Sequence, residues 1–427
     1  MKLLFYGINY SPELTGIGKY TGEMATYYAQ QGHEVEVICA PPYYPAWEVS
    51  ETYRGRGWVV EQIDGVTVHR CPLYVPKRVT GVKRILHEAS FLLSSLRYWI
   101  PRYFRSYDAV VCISPPFHLG FPALLHKWLR GTPVINHVQD LQVDAARDLK
   151  LLSSTTLLNV LESLEKFLLR RMTAVSSISS GMLQRLQAKG LPANKLVFFP
   201  NWVDSELVHP VGPTGHLRQE WGYTATDKII LYSGNLGEKQ GLQILPEVAA
   251  RFQDNLEVKF LIIGQGGIKE QLVAAVQDRG LTNVRFLPLQ PLEKLAATLA
   301  TADVHLVLQK RAAADLVLPS KLTNILAVGG HALITAEPGC TLYDVALEHS
   351  LGTIVEPENA TAIEQGLRDI LSGQRGEDAS GATEYARKYL DKTRILNDFL
   401  AALRRIGTTS VNPTRTSRTN RTTTTTP

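Results

Sequence analysis

The chain is poor in cysteine. Cys39, Cys71, Cys112 and Cys340 are the only four in 427 residues, and no two form a C-x-x-C pair. That spacing gives neither a disulfide framework nor a cysteine-built zinc site. No apolar run reaches the roughly 18 residues that a membrane span needs. The opening segment, Met1 to Gly7, is interrupted too soon for a secretory leader, so a cytoplasmic protein is expected. Charge of one sign is also scarce: 45 Lys and Arg against 40 Asp and Glu leave +5. With that mild excess and no nucleic-acid motif, nucleic acid is not an expected partner. Walker A and G-x-G-x-x-G are both absent. What is present is 44% hydrophobic and 20% charged, a globular composition. At this length two domains are the default.

Strand and helix patterns alternate from the start. Lys2 to Tyr10 reads as a buried strand, followed by a glycine-bearing loop with Gly16 and Gly18, a helix through Met24 and Tyr28, and a strand from His33 to Ala40. Such a βαβ opening predicts a parallel, doubly wound sheet. Ligands of these sheets bind beyond the carboxyl ends of the strands, so the Gly16–Gly18 loop faces a cleft or is simply a glycine-relieved turn. Pro41 to Trp47 is an aromatic loop, and Asp64-Gly65 marks a tight hairpin between Trp58 and Cys71. The strand ending at His137 leads into Val138-Gln139-Asp140, where α/β enzymes place catalytic groups. The other reading makes His137 a packing residue and Asp140 a helix cap. Turn residues cluster from Pro200 to Pro213, the best linker candidate.

Alternation restarts at Lys228. The run Lys228 to Tyr232 feeds into Ser233-Gly234-Asn235-Leu236-Gly237-Glu238-Lys239-Gln240-Gly241 and then a helical pattern. Glycines there admit backbone N–H groups close to an anion, and the helix start adds a positive dipole end. Asn235 and Lys239 are further donors, so the stretch reads as a diphosphate cradle. Gly264 begins a second glycine turn at a strand end, expected to face the same cleft. Pro319-Ser320-Lys321 opens another helix. A lysine in a first helical turn opposes the dipole, and an anion shared with the helix start relieves that conflict.

Two further segments stand out. From Lys77 to Arg105, Val82, Ile85, Leu86, Ala89, Leu92, Leu93, Leu96, Trp99, Ile100 and Tyr103 recur at helical spacing amid seven Lys and Arg and one acid, Glu88. This is either a crossover helix packed on the sheet or a basic amphipathic helix lying on an anionic membrane surface. Thr408 to Pro427 is nearly all Thr, Arg, Ser, Asn and Pro, a composition that stays disordered.

The ordered series Tyr6-Gly7-Ile8-Asn9-Tyr10-Ser11-Pro12-Glu13, Thr15-Gly16-Ile17-Gly18, Ser233-Gly234-Asn235-Leu236-Gly237 and Leu318-Pro319-Ser320-Lys321-Leu322-Thr323-Asn324 resembles glycosyltransferase family 4, in its colanic acid and exopolysaccharide branch. The resemblance spans about residues 1–407. It implies the GT-B fold, two Rossmann-like domains facing a cleft. The first, 1–205, binds acceptor and is rejoined by a final helix, 385–407; the second, 206–384, binds the nucleotide sugar; 408–427 is tail. It also implies retaining transfer from a GDP- or UDP-linked sugar to a glycan or lipid-linked acceptor. No metal cofactor is expected, since no D-x-D stands in the cleft loops. Gly16, Gly18, Gly234, Asn235, Lys239, Gly264, Lys321 and Asn324 correspond to the donor side, and His137, Asp140 and Lys321 to catalytic positions. The family's E-x7-E pair is replaced by Leu316 and Asn324. A nucleotide-sugar 2-epimerase and a non-catalytic nucleotide-sugar binder are the alternatives on this fold.

Overall fold

The first half of the chain builds one sheet from β1 (Lys2–Tyr6), β2 (Glu34–Cys39), β3 (Val59–Ile63), β4 (Val66–Arg70), β5 (Ala109–Ser114), β6 (Val134–Val138), β7 (Ala174–Ser177) and β8 (Leu196–Phe198), in the order 3-4-2-1-5-6-7-8. The structure is a computed structural model that describes residues 1–13, 16–78, 80–148, 154–211, 215–311, 319–373 and 380–410. Only β3 runs antiparallel, to its neighbour β4. The cause is local: Asp64 and Gly65 both take positive φ, 49° and 82°, the backbone of a two-residue hairpin turn. Strands such as β5 are buried along their whole length, as parallel strands covered on both faces must be.

The second sheet comprises β9 (Lys228–Ser233), β10 (Val258–Ile263), β11 (Val284–Leu287), β12 (Val304–Val307), β13 (Ala332–Thr335) and β14 (Thr353–Val355), all parallel, in the order 11-10-9-12-13-14. Chain order reverses between β1 and β5 in the first sheet and between β9 and β12 in the second. These reversals are where the outgoing loops diverge and leave a crevice for ligand. The chain leaving β1, the turn after β9 and the end of β12, from which the chain leads on to Lys321, therefore all lie at such points.

Two chain crossings join the halves, and they run side by side. Val203 N–H donates to the Leu390 carbonyl at 2.8 Å, and the Lys392 ammonium pairs with Asp204 at 2.7 Å. Beyond the second crossing, the helix Lys392–Ser410 returns to the first sheet. Its Leu396, Phe399 and Leu403 are buried among Phe5, Val111 and Ile135, and Phe399 stacks on Phe199 with ring centroids 3.8 Å apart. The helix continues to Ser410, and the rest of the expected tail, 411–427, lies outside the described residues, as does Leu316.

Five helices of the first half matter below: α1 (Gly16–Gln30), α2 (Gly81–Arg102), α3 (Gly120–Arg130), α4 (Gln142–Asp148) and α5 (Thr155–Arg171). The helix α2 does cross the sheet, but only part of its apolar stripe packs, Trp99 with Leu92 and Tyr103. His87, Phe91, Ser95, Trp99 and Arg102 are buried, while Val82, Ile85, Leu86, Leu93 and Ile100 are exposed. The Trp99 ring meets Tyr6 edge-on at 5.1 Å, so one large aromatic replaces several aliphatics on the packed face.

Candidate active site

The second-sheet side of the crevice is made by two interlocked turns. Gly234 N–H donates to the Ile263 carbonyl at 2.9 Å, and Leu236 N–H donates to the Gln265 carbonyl at 2.8 Å. A Cβ at Gly264 would lie 2.0 Å from the Gly234 carbonyl oxygen, and one at Gly266 would lie 2.3 Å from that of Leu236. Gly264 is buried, so its lack of a side chain serves this backbone contact. Gly234 itself has φ +149°, with the Lys321 side chain passing beneath it: a Cβ there would sit 3.6 Å from the ammonium.

Lys321 is the second residue of the helix Ser320–Ala327. Its Nζ donates to the Tyr232 hydroxyl at 2.6 Å and lies 4.0 Å from that ring's centroid. The hydroxyl in turn donates to the Asn235 carbonyl at 2.7 Å. Burial lowers the ammonium to about pKa 7. Asn324, one helical turn on, shares with Lys321 and Ser233 the lining of a cavity of about 30 Å³. Lys239 stands apart on the turn Glu238–Gln240, exposed, its carbonyl accepting from Lys310 N–H at 2.9 Å.

The first-sheet side comes from the loop after β1. Gly16 opens α1 with φ +63°. A Cβ at Gly18 would fall 2.4 Å from Glu13 Oε2, so this glycine makes room for a carboxylate. Glu13 accepts from the N–H groups of Tyr43 and Tyr44 at 3.2 and 3.1 Å and from Asn9 Nδ2 at 3.0 Å. Burial raises its pKa, and those bonds oppose the rise. Arg70 pins the same loop: its guanidinium donates to the Ser11 carbonyl at 2.6 Å and the Ala40 carbonyl at 3.0 Å. Sequence reasoning passed over Glu13, Arg70 and Tyr232 as site residues. Glu13 ends the Ser11-Pro12-Glu13 run, a polar residue in a strand-end loop, and Tyr232 is the one aromatic in β9.

The two sides meet. The Tyr20 hydroxyl, on the second turn of α1, comes close to Thr323, two residues past Lys321. The helix α1, which Gly16 opens, thus approaches the Lys321 helix at this point. Asp140 lies partly exposed just past β6, where Gln139 N–H is tied to the Ser114 carbonyl at 2.8 Å. His137 departs from the catalytic expectation. It is 2% exposed, its Nδ1 is 3.0 Å from Ser176 Oγ, and its ring packs on Phe199 and Phe399. Burial lowers it to about pKa 3, so it is a neutral core histidine under the C-terminal helix. Among the described residues, no three His, Cys, Asp or Glu side chains converge as a metal-ligand group. Chemically, the arrangement offers an anion one desolvated ammonium and a glycine turn on one side, and a helix start on the other.

Residues 15–202 match the glycosyl transferase 4-like domain, and residues 215–389 match glycosyl transferases group 1. The chain is 43% identical over 417 residues to the Escherichia coli K12 protein named as the colanic acid biosynthesis glycosyl transferase WcaI, covering 95% of this chain and all of that one. Among solved structures it resembles the sucrose-phosphate synthase of Thermosynechococcus elongatus (TM-score 0.76, 15% identity, 96% of this chain and 99% of the other). It also resembles Anabaena HepE in complex with UDP-glucose (TM-score 0.68, 15% identity, 94% and 99%). With two doubly wound sheets facing one crevice and a relative of that identity along its whole length, the chain belongs to glycosyltransferase family 4, on the GT-B fold.

Proposed function

We propose that the protein moves a sugar, with retention, from a UDP- or GDP-linked donor to a glycan or lipid-linked acceptor in the assembly of a colanic-acid-type exopolysaccharide. The observation that carries the donor side is the Lys321 ammonium held under the Gly234–Asn235 turn at the reversal point of the second sheet. As the bond from the anomeric carbon to the diphosphate oxygen breaks, positive charge grows on the sugar and negative charge on the leaving group. Lys321 stabilises the latter without a metal. In this reading Asp140 orients the acceptor or the transferred sugar, Asn324 bonds ribose hydroxyls, and Gly16 and Gly18 line the phosphate side. Anabaena HepE, which shares the fold, is known with UDP-glucose bound, which favours a uridine donor. The whole-length relative is a glycosyl transferase, which disfavours the epimerase and the non-catalytic binder. Purified protein should gain thermal stability from UDP or GDP, about 2.7 kcal/mol at a hundredfold excess over Kd. It should then pass sugar from the matching donor to lipid-linked acceptor. Isomerised donor with no transfer would sink this reading.

The acceptor side includes a membrane surface. Among the described residues no helix is long and apolar enough to cross a membrane. Beside the exposed aliphatics of α2, the neighbouring helices α3 and α5 also expose large apolar side chains, Trp128 and Leu129 on α3 and Leu157, Val160, Leu164 and Phe167 on α5. Lys83, Arg84, Arg97 and Arg105 flank them, a combination that suits a peripheral position on anionic lipid. Arg102 does not belong to that face: it is 3% exposed and paired with the Glu36 carboxylate. Reversing the four flanking cations to Glu should abolish sedimentation with phosphatidylglycerol vesicles while leaving the melting temperature in place. Undiminished binding, or none by the wild type, would return α2 to a plain crossover helix.

A further inference from the structure

Tyr232 is fully buried, one residue from the end of β9. Its ring packs in the second sheet's core with Leu236, Leu242 and Leu245. A phenylalanine would serve that packing equally well. The hydroxyl has a separate task, because it is bonded on both sides. It accepts from Lys321 Nζ at 2.6 Å and donates to the Asn235 carbonyl at 2.7 Å. Donation to a carbonyl leaves the oxygen lone pairs free, so the only bond Lys321 can make to it is the one in which the ammonium donates. The order of donors along Lys321, Tyr232 and Asn235 is thereby fixed.

The consequence is geometric. Lysine has four rotatable side-chain bonds and no preferred fork, so an unheld ammonium samples many positions. Here the phenol oxygen lies 3.9 Å from where a Gly234 Cβ would be, and the ammonium 3.6 Å from it. Both therefore sit directly under the turn. Raised far above its usual range by burial, the hydroxyl stays protonated and keeps its bond to Asn235. One hydroxyl thus registers the cation against the loop that would receive the diphosphate.

We infer that Tyr232 is a positioning residue for the leaving-group cation: its hydroxyl seats Lys321 under the Gly234–Asn235 turn before donor arrives. The inference rests on the donor site proposed above. It predicts that the hydroxyl matters most where the diphosphate gains charge, because misplacement by a fraction of an ångström weakens a preorganised charge contact in the transition state more than in the ground state.

The experiment is a double-mutant cycle in the full chain, with Tyr232→Phe, Lys321→Ala and both together. Initial transfer rates are measured with the donor found by the nucleotide screen, and UDP affinity by calorimetry. Tyr232→Phe should lower kcat about tenfold, the size expected for one bond to a charged donor, and weaken UDP by less than about threefold. In the Lys321→Ala background the same change should alter kcat by less than about twofold, since the cation it positions is gone. Multiplying single effects in the double variant would overturn the assignment, as would wild-type kcat in Tyr232→Phe. A phenylalanine variant that fails to fold would overturn it too, because the hydroxyl would then serve the Asn235 turn itself. If Lys321→Ala alone keeps wild-type turnover, it is the donor-site reading that fails, a result distinct from all of these.

Discussion

Lys321→Ala is expected to lower sugar transfer by about ten- to a hundredfold, with a smaller loss of nucleotide affinity. A charge-assisted contact of this kind is worth about 1.5–3 kcal/mol, and each 1.4 kcal/mol is roughly a power of ten in rate. The ammonium meets more charge on the departing diphosphate than on bound donor, so kcat carries the larger share. Lys321→Arg should restore only part, because a planar fork cannot occupy a seat built for a point charge over the Tyr232 ring. A pH signature goes with it. Burial holds the free lysine at about pKa 7, so above that pH the empty site is largely neutral. An anion favours the charged form, and binding above pH 7 must therefore take up a proton. Affinity for UDP should fall as pH rises through 7 in the wild type and stay flat in Lys321→Arg, whose guanidinium remains charged. Calorimetry across pH 6–9 checks both arms. An alanine variant with wild-type turnover and affinity would end the assignment.

Gly264→Ala should be the most damaging single methyl in the second half. The added carbon would lie 2.0 Å from the Gly234 carbonyl oxygen and 3.2 Å from Leu236 Cγ. Backbone must move, and the bonds joining the two turns, Gly234 to Ile263 and Leu236 to Gln265, must lengthen or break. Overpacking of this kind costs about 1–3 kcal/mol, a drop of roughly 2–4 °C in melting temperature per kcal/mol for a domain of this size. Since the same movement displaces Gly234 and Asn235 from above Lys321, the variant should also lose most of its stabilisation by UDP. Gly267→Ala is the control: a Cβ there meets nothing within 4 Å, and its melting temperature should match the wild type. Differential scanning fluorimetry with and without UDP separates them, and equal behaviour of the two variants would refute the abutting-turn geometry.

The first-half loops show how far local pattern reaches. Asp64-Gly65 announced its hairpin because a two-residue turn is decided by the φ values its own residues tolerate. The strand beginning at Lys228 was legible, because a strand covered on both faces reads as a run of apolar residues. The glycine turns at Gly234 and Gly264 were legible as turns, and Lys321 as a cation against a helix dipole. His137 was not legible. It precedes Asp140 by three residues, but a strand sends alternate side chains to opposite faces, and the face His137 takes is covered by a helix more than 250 residues later. In α2, helical spacing identified the helix and part of its packed side, Trp99 with Leu92 and Tyr103, but not that Val82, Ile85, Leu86, Leu93 and Ile100 stay exposed, because the partner of Trp99, Tyr6, belongs to a distant strand.

Sequence alone, then, determined what depends on neighbours in the chain: two runs of alternating strand and helix, their turns, and which strand ends carry glycine and lysine. Tertiary structure decided what depends on residues distant in the chain. It set Lys321 against Tyr232 across 89 positions and made Gly18 the room for Glu13's carboxylate. The physical reason is that backbone preference and hydrophobic period act over a few residues, whereas the seat of a buried charge is set by whichever partner the packed core brings within hydrogen-bond reach.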